Sequence, residues 1–170
     1  MVQWFNGLHP CSGTLLHMKL TLNTTYTTAS ESQSLLILVD SEQQQTVKTI
    51  YKINDLDSLA QATQFKAGFN EVLPLIGKVP AQINSTLIGL DKATELKAAK
   101  LAKIAQTIIK ASQKKCVKIS VDISAVPTEL HYLLALNLTQ AAYAYDEYKS
   151  KKNEFALNHI ELIATYSPLT

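Results

Sequence analysis

The spacing of apolar residues along this chain switches repeatedly between an alternating and a helical period, and each switch marks an element. Met18-Lys19-Leu20-Thr21-Leu22 alternates and predicts a half-buried strand over 18–23. Residues 24–34 are rich in Thr and Ser and read as a loop. Leu35 to Val39 is continuously apolar, the pattern of a strand buried on both faces in the middle of a covered sheet. Residues 42–52 fit neither period. Asp55 stands where a carboxylate can accept from the free N–H groups of a short helix running to about Gln64. Residues 71–76 and 86–90 read as strands, and Pro74 confines the first to an edge or a bulge, because proline cannot donate to a ladder.

The clearest helical pattern covers Leu90 to Lys114. Leu101, Ile104, Ala105 and Ile108 fall on one face, with Lys100, Lys103, Lys110 and Lys114 opposite. Val117, Ile119, Val121 and Ile123 alternate as a strand. Pro127 suits the first turn of a further helix, where its missing N–H would have no partner anyway. That helix carries Leu130, Leu134, Leu138, Ala141, Tyr145 and Tyr148 along one stripe. Ile160, Leu162 and Ala164 alternate in a last strand over 157–165. Strands alternating with helices predict a three-layer α/β/α domain over 18–170 with a largely parallel or mixed sheet of about six strands. Residues 1–17 show no period and read as a disordered leader or extension, dispensable for folding.

Composition narrows the function classes. Forty-six per cent apolar and 18% charged residues describe a globular domain, and 170 residues suffice for a core without disulfides or metals. A net charge of +2 argues for neither nucleic acid nor an anionic membrane, and no run approaches the ~20 apolar residues of a membrane span. All sixteen basic residues are lysine, so the bidentate arginine reader of phosphate, carboxylate and guanine is missing. Cys11 and Cys116 lack metal-type spacing and read as free thiols. His9, His17, His131 and His159 are scattered outside any zinc spacing. Asp146 and Glu147 are adjacent on a helix and point apart, so they make no shared acid–base pair. No catalytic, cofactor or metal residue is assigned to this chain.

Four stretches carry a family resemblance. Phe65-Lys66-Ala67-Gly68-Phe69-Asn70-Glu71-Val72-Leu73 resembles a Phe-x-Gly-Lys-x-Gly-Glu-x-Leu motif. Thr86-Leu87-Ile88-Gly89-Leu90-Asp91-Lys92 resembles Val-Leu-Val-Gly-Leu-Gly-Lys, and the alanine-rich helix after it matches in length. Tyr145-Asp-Glu-Tyr148-Lys149-Ser150-Lys151-Lys152 resembles a Tyr-x-Phe-Asp-x-Tyr-Lys-Thr-Lys-Lys signature. In this order they resemble the N-terminal domain of the leucyl (cytosol) aminopeptidases, di-metal leucine aminopeptidases whose N-terminal domain is similar in fold to macro domains. Asp91 in place of the motif's glycine argues that this turn does not need positive φ.

The resemblance implies a cytoplasmic enzyme that releases N-terminal residues, often leucine, from peptides. Its two divalent metals (zinc, manganese or magnesium) and its catalytic residues would lie in a C-terminal domain beyond this chain, and the enzyme would assemble as a hexamer. Tyr145, Tyr148, Lys149, Lys151 and Lys152 would then form a docking surface toward that domain. The rival reading is a stand-alone macro-like module for nucleic acid or a nucleotide, with Lys100, Lys103, Lys110 and Lys114 as weak phosphate contacts. The five glycines include no G-x-G pair, which speaks against a phosphate cradle. A lysine run is ordinarily a solvated helix face, here with its cations toward the negative end of the helix dipole.

Overall fold

A computed structural model describes residues 2–7, 18–24, 34–80, 84–112, 116–147 and 157–164, with side chains from 18 to 143 and from 157 to 164 within those ranges. Seven strands form one mixed sheet: β1 (Val2–Gly7), β2 (Met18–Asn23), β3 (Ser34–Val39), β4 (Val72–Pro74), β5 (Ser85–Gly89), β6 (Lys118–Asp122) and β7 (His159–Ile163). Their order is β1-β2-β7-β6-β3-β5-β4. The five inner strands run parallel, and β1 and β4 close the two edges antiparallel to β2 and β5. The sequence reading leaves residues 1–17 outside the fold. The structure instead pairs Val2–Gly7 with β2 and thereby supplies the strand beyond the six expected, while residues 8–17 lie outside the described residues.

Each parallel crossover needs a helix to return the chain, and the helices divide between the two faces. Helices α1 (Gln44–Ile50) and α2 (Leu56–Thr63) cover one face. There Val47, Tyr51, Ile53 and Leu56 pack on Leu35, Ile37, Val39 and Leu87. Helices α3 (Ala98–Ala111) and α4 (His131–Glu147) cover the other, where Leu101, Ile104, Ile108, Leu134 and Leu138 pack on Leu36, Leu38, Ile88, Val121 and Ile160. All six residues of β3 are buried because helices lie on both sides of it, which explains its unbroken apolar run.

Three local expectations change. Asp55 precedes α2 but makes no side-chain cap bond; its carboxylate accepts from Lys78 Nζ at 2.5 Å, and that hydrogen bond holds it below its ordinary value. The helix expected from Leu90 begins at Ala98, after a 3-10 turn over Ala93–Glu95, because Lys92, Leu96 and Lys97 are extended. Asp91 does take positive φ, at 61°.

That last point belongs to a wider pattern. Ala67 (φ 55°) and Asn70 (φ 66°) are also left-handed, and all three stand where the aminopeptidase motifs carry glycine. Asn and Asp reach this region because a short polar side chain can bond locally, whereas an alanine there bears the strain outright. Asp91 is exposed, so changing it loses little packing. Asp91→Gly is expected to leave stability unchanged within about 0.5 kcal/mol, strain relief offsetting the extra freedom of the unfolded chain, while β-branched Asp91→Val costs about 1–2 kcal/mol. Urea unfolding of the two variants checks the contrast.

Candidate functional site

The two internal motifs meet at the C-terminal end of β5. Gly89 N–H donates to Glu71 O and Asn70 N–H to Gly89 O, each at 2.8 Å, and Asp91 N–H donates to Ala67 O at 2.9 Å. The loop over residues 65–71 therefore lies flat across the strand end. A Cβ on Gly89 would sit 2.2 Å from Gly68 O and 2.6 Å from Ala67 O, so only glycine permits this approach. Glu71 holds the loop from the other side, its Oε2 accepting the N–H groups of Lys66 (2.9 Å) and Gly68 (3.0 Å). Asp40, just past β3, fastens the next segment by accepting from Glu42 N–H at 2.7 Å and from Ala93 N–H at 2.9 Å. The motif residues thus build a clasp between backbones, and none of these contacts has the form of a nucleophile with its base.

In an open parallel sheet, ligands enter the crevice outside the strand ends where the chain's direction of travel reverses, here between β3 and β6. Asp122 occupies it, fully buried. Its Oδ2 accepts from Tyr51 Oη at 2.5 Å and its Oδ1 from Ser124 N–H at 2.8 Å. Burial pushes this carboxyl above its ordinary value, and the bonds from Ser124 and Tyr51 pull the other way. With Asp40 beside the same edge, the crevice carries two carboxylates already satisfied from within the protein.

A third polar constellation was not singled out in the sequence. Thr21 Oγ1 lies 3.0 Å from His159 Nε2. Glu161 accepts from Asn23 Nδ2, from Ser120 Oγ at 2.8 Å, and pairs with Lys118 Nζ at 3.3 Å. These residues are the polar half of the alternation in β2, β6 and β7, so one sheet face gathers them. The signal was present as period two in three separate strands, and only the pairing of β2 with β7 and of β7 with β6 aligns it. The serine donates to a carboxylate and the histidine faces a threonine, which orders the strands without activating a nucleophile.

The candidate lysines separate. Lys100 and Lys103 stand over the Phe69 ring, with Nζ at 4.9 and 6.0 Å from its centroid. Lys100 falls in the first turn of α3, the positive end of the helix dipole, where the ring face offers a compensating attraction. Lys110 is exposed in the last turn, where a cation is favoured, and Lys114 lies outside the described residues. Among the described three, Lys100 and Lys103 share one aromatic ring at the start of α3 and Lys110 stands at its other end. Tyr145 lies in α4 without a described side chain, and Tyr148, Lys149, Lys151 and Lys152 lie outside the described residues. Cys116 is buried. Among the described residues no three His, Cys, Asp or Glu side chains converge, so they do not fit the paired metals the resemblance implies. No described helix is long and apolar enough to cross a membrane.

Comparison with known proteins gives the architecture its context. Residues 37–152 match the N-terminal domain of the cytosol aminopeptidase family. The chain belongs to that family. A probable cytosol aminopeptidase of Acinetobacter baumannii is 57% identical over 152 residues, 89% of this chain and 32% of that protein. One from Acinetobacter baylyi is 50% identical over 153 residues, again 32% of its length. The chain therefore spans about a third of the length of these relatives. Among solved structures, a tomato leucine aminopeptidase mutant shares the fold with a TM-score of 0.67 at 12% identity, over 94% of this chain and 35% of that one. The bottromycin maturation enzyme BotP shares it with a TM-score of 0.56 at 16% identity, over 77% of this chain and 27% of that one. In this chain the α/β unit is thus the family's N-terminal domain, and its motif residues form a structural clasp.

Proposed function

We propose that this chain is the accessory N-terminal part of a cytoplasmic leucyl aminopeptidase. The observation that carries the proposal is the 57% identity to a probable cytosol aminopeptidase over a stretch that makes up only 32% of it. The chemistry is assigned to the remaining two thirds. Two divalent ions there (zinc, manganese or magnesium) would activate a water and polarise the scissile carbonyl of a peptide, leucine being a frequent N-terminal residue. No step of that reaction is assigned to a residue of this chain. The chain's own contribution is a rigid sheet that shapes assembly into a hexamer and limits access to its interior. Tyr145, Tyr148, Lys149, Lys151 and Lys152, from the closing signature, are proposed to form the junction with the catalytic part.

The test compares the longer polypeptide with a version lacking residues 1–170. Sedimentation of the shortened form should give species smaller than those of the intact enzyme. An unchanged hexamer with unchanged hydrolysis of long and short peptides would contradict the assembly role.

A further inference from the structure

A row of exposed apolar side chains lies on the outer strand β4 and the turn that follows it. Val72 and Ile76 are 42% and 70% exposed, and Pro74 between them is exposed too. Leu73 and Leu75 alternate with them and are buried on the α1–α2 side. Val72 and Pro74 therefore face the side that carries α3 and α4, and Ile76 follows in the turn. Helix α3 ends at Ala111 and does not reach far enough to cover it. Between them lies an open cleft of about 190 Å³ whose described lining joins Val72, Pro74, Ile76 and Ala111 to the neutral polar Ser34, Asn84, Ser85 and Thr86.

We propose that this cleft seats an apolar side chain from the part of the longer aminopeptidase polypeptide that lies beyond the family's N-terminal third. The inference rests on the reading above, that such a longer polypeptide exists. Three observations select this occupant. Among the described residues the lining carries no opposite charge to offset the hydration that a charged group would lose on entering. Strand addition is disfavoured: Gly89 N–H donates to Glu71 O and Leu75 N–H to Ser85 O, so the even-numbered backbone groups face outward, and there Pro74 has no N–H to give. A free second copy of the chain would need roughly 800 Å² per partner for a stable interface, far more than three side chains supply. A covalently tethered partner needs much less, because tethering supplies an effective concentration of the order of millimolar. The relatives extend well beyond the matched part, which is 32% of their length, so such a tethered partner is available.

The experiment is carbene footprinting of the 170-residue chain and of the longer polypeptide, the latter at two concentrations roughly tenfold apart. Labelling of Ile76 should fall roughly fivefold or more in the longer polypeptide at both concentrations, as an exposed side chain becomes a core-like one. Ile76→Lys in the longer polypeptide should restore labelling of Val72. Equal labelling of Ile76 in both proteins would overturn the proposal. So would protection that is lost where sedimentation shows the longer polypeptide to be monomeric, because a second copy would then be the occupant. Hydrolysis of a leucine amide is measured on the same preparation. Hydrolysis without protection overturns the docking face alone, whereas protection without hydrolysis supports the docking face and overturns the aminopeptidase reading.

Discussion

Gly89→Ala is expected to cost more than about 4 kcal/mol, the range reached only by severe packing or backbone conflicts. The added Cβ would fall 2.2 Å from Gly68 O and 2.5 Å from Ala67 C, both backbone atoms that no rotamer change can move. Relief would require the loop over 65–71 to lift from β5. That would break the bonds joining Asn70 and Glu71 to Gly89 and the one from Asp91 N–H to Ala67 O. For a domain of this size the loss corresponds to a melting temperature lower by roughly 10 °C or more. A variant melting within about 3 °C of the parent, a change of roughly 1 kcal/mol, would show that the loop does not lie across β5 as described.

Tyr51→Phe is expected to destabilise by about 2–3 kcal/mol at neutral pH, because it leaves a fully buried carboxylate short of one donor. The pH dependence gives the prediction its sign. Burial raises Asp122 above the ordinary value of 3.8. A raised acid favours the protonated folded state, so its contribution to stability is complete below 3.8 and is lost as pH rises through the folded value. The Tyr51 bond opposes the rise, and removing it raises the carboxyl further. The destabilisation by Tyr51→Phe should therefore be largest near pH 7 and shrink as pH falls toward 3.8. Urea unfolding of both proteins across that interval checks it. A constant difference would mean that the hydroxyl's partner is not the ionised Asp122.

Much of the architecture is legible in the residues themselves. The alternation from Met18 to Asn23 marks a strand with the bounds the structure gives, and the apolar run Leu35 to Val39 marks β3 except for Ser34, since side-chain period and burial are direct consequences of sheet geometry. Pro74 correctly marks an edge strand. The start of α3 was hidden because Asp91 is held by Ala67 and Ala93 by Asp40, contacts between segments far apart in sequence. The conformation of Asp91 was misjudged for the same reason. Residue type gives a preference for positive φ, whereas the backbone bonds to Ala67 and Ser41 impose it. The Asp122–Tyr51 pair joins residues 71 positions apart and leaves no local pattern. The family motifs were legible as motifs, but their role as a clasp was not. Gly89 is required because another stretch of backbone passes within reach of its missing Cβ, and only the fold shows which stretch that is.

The most direct test of the central claim is hydrolysis of a leucine chromogenic amide with added manganese or zinc, by this 170-residue chain and by a polypeptide spanning the full length of the relatives. The expected result is metal-dependent turnover by the longer polypeptide and none by the chain. Turnover by the chain that survives repurification would contradict the account, because the chemistry would then reside in the domain described here as a scaffold.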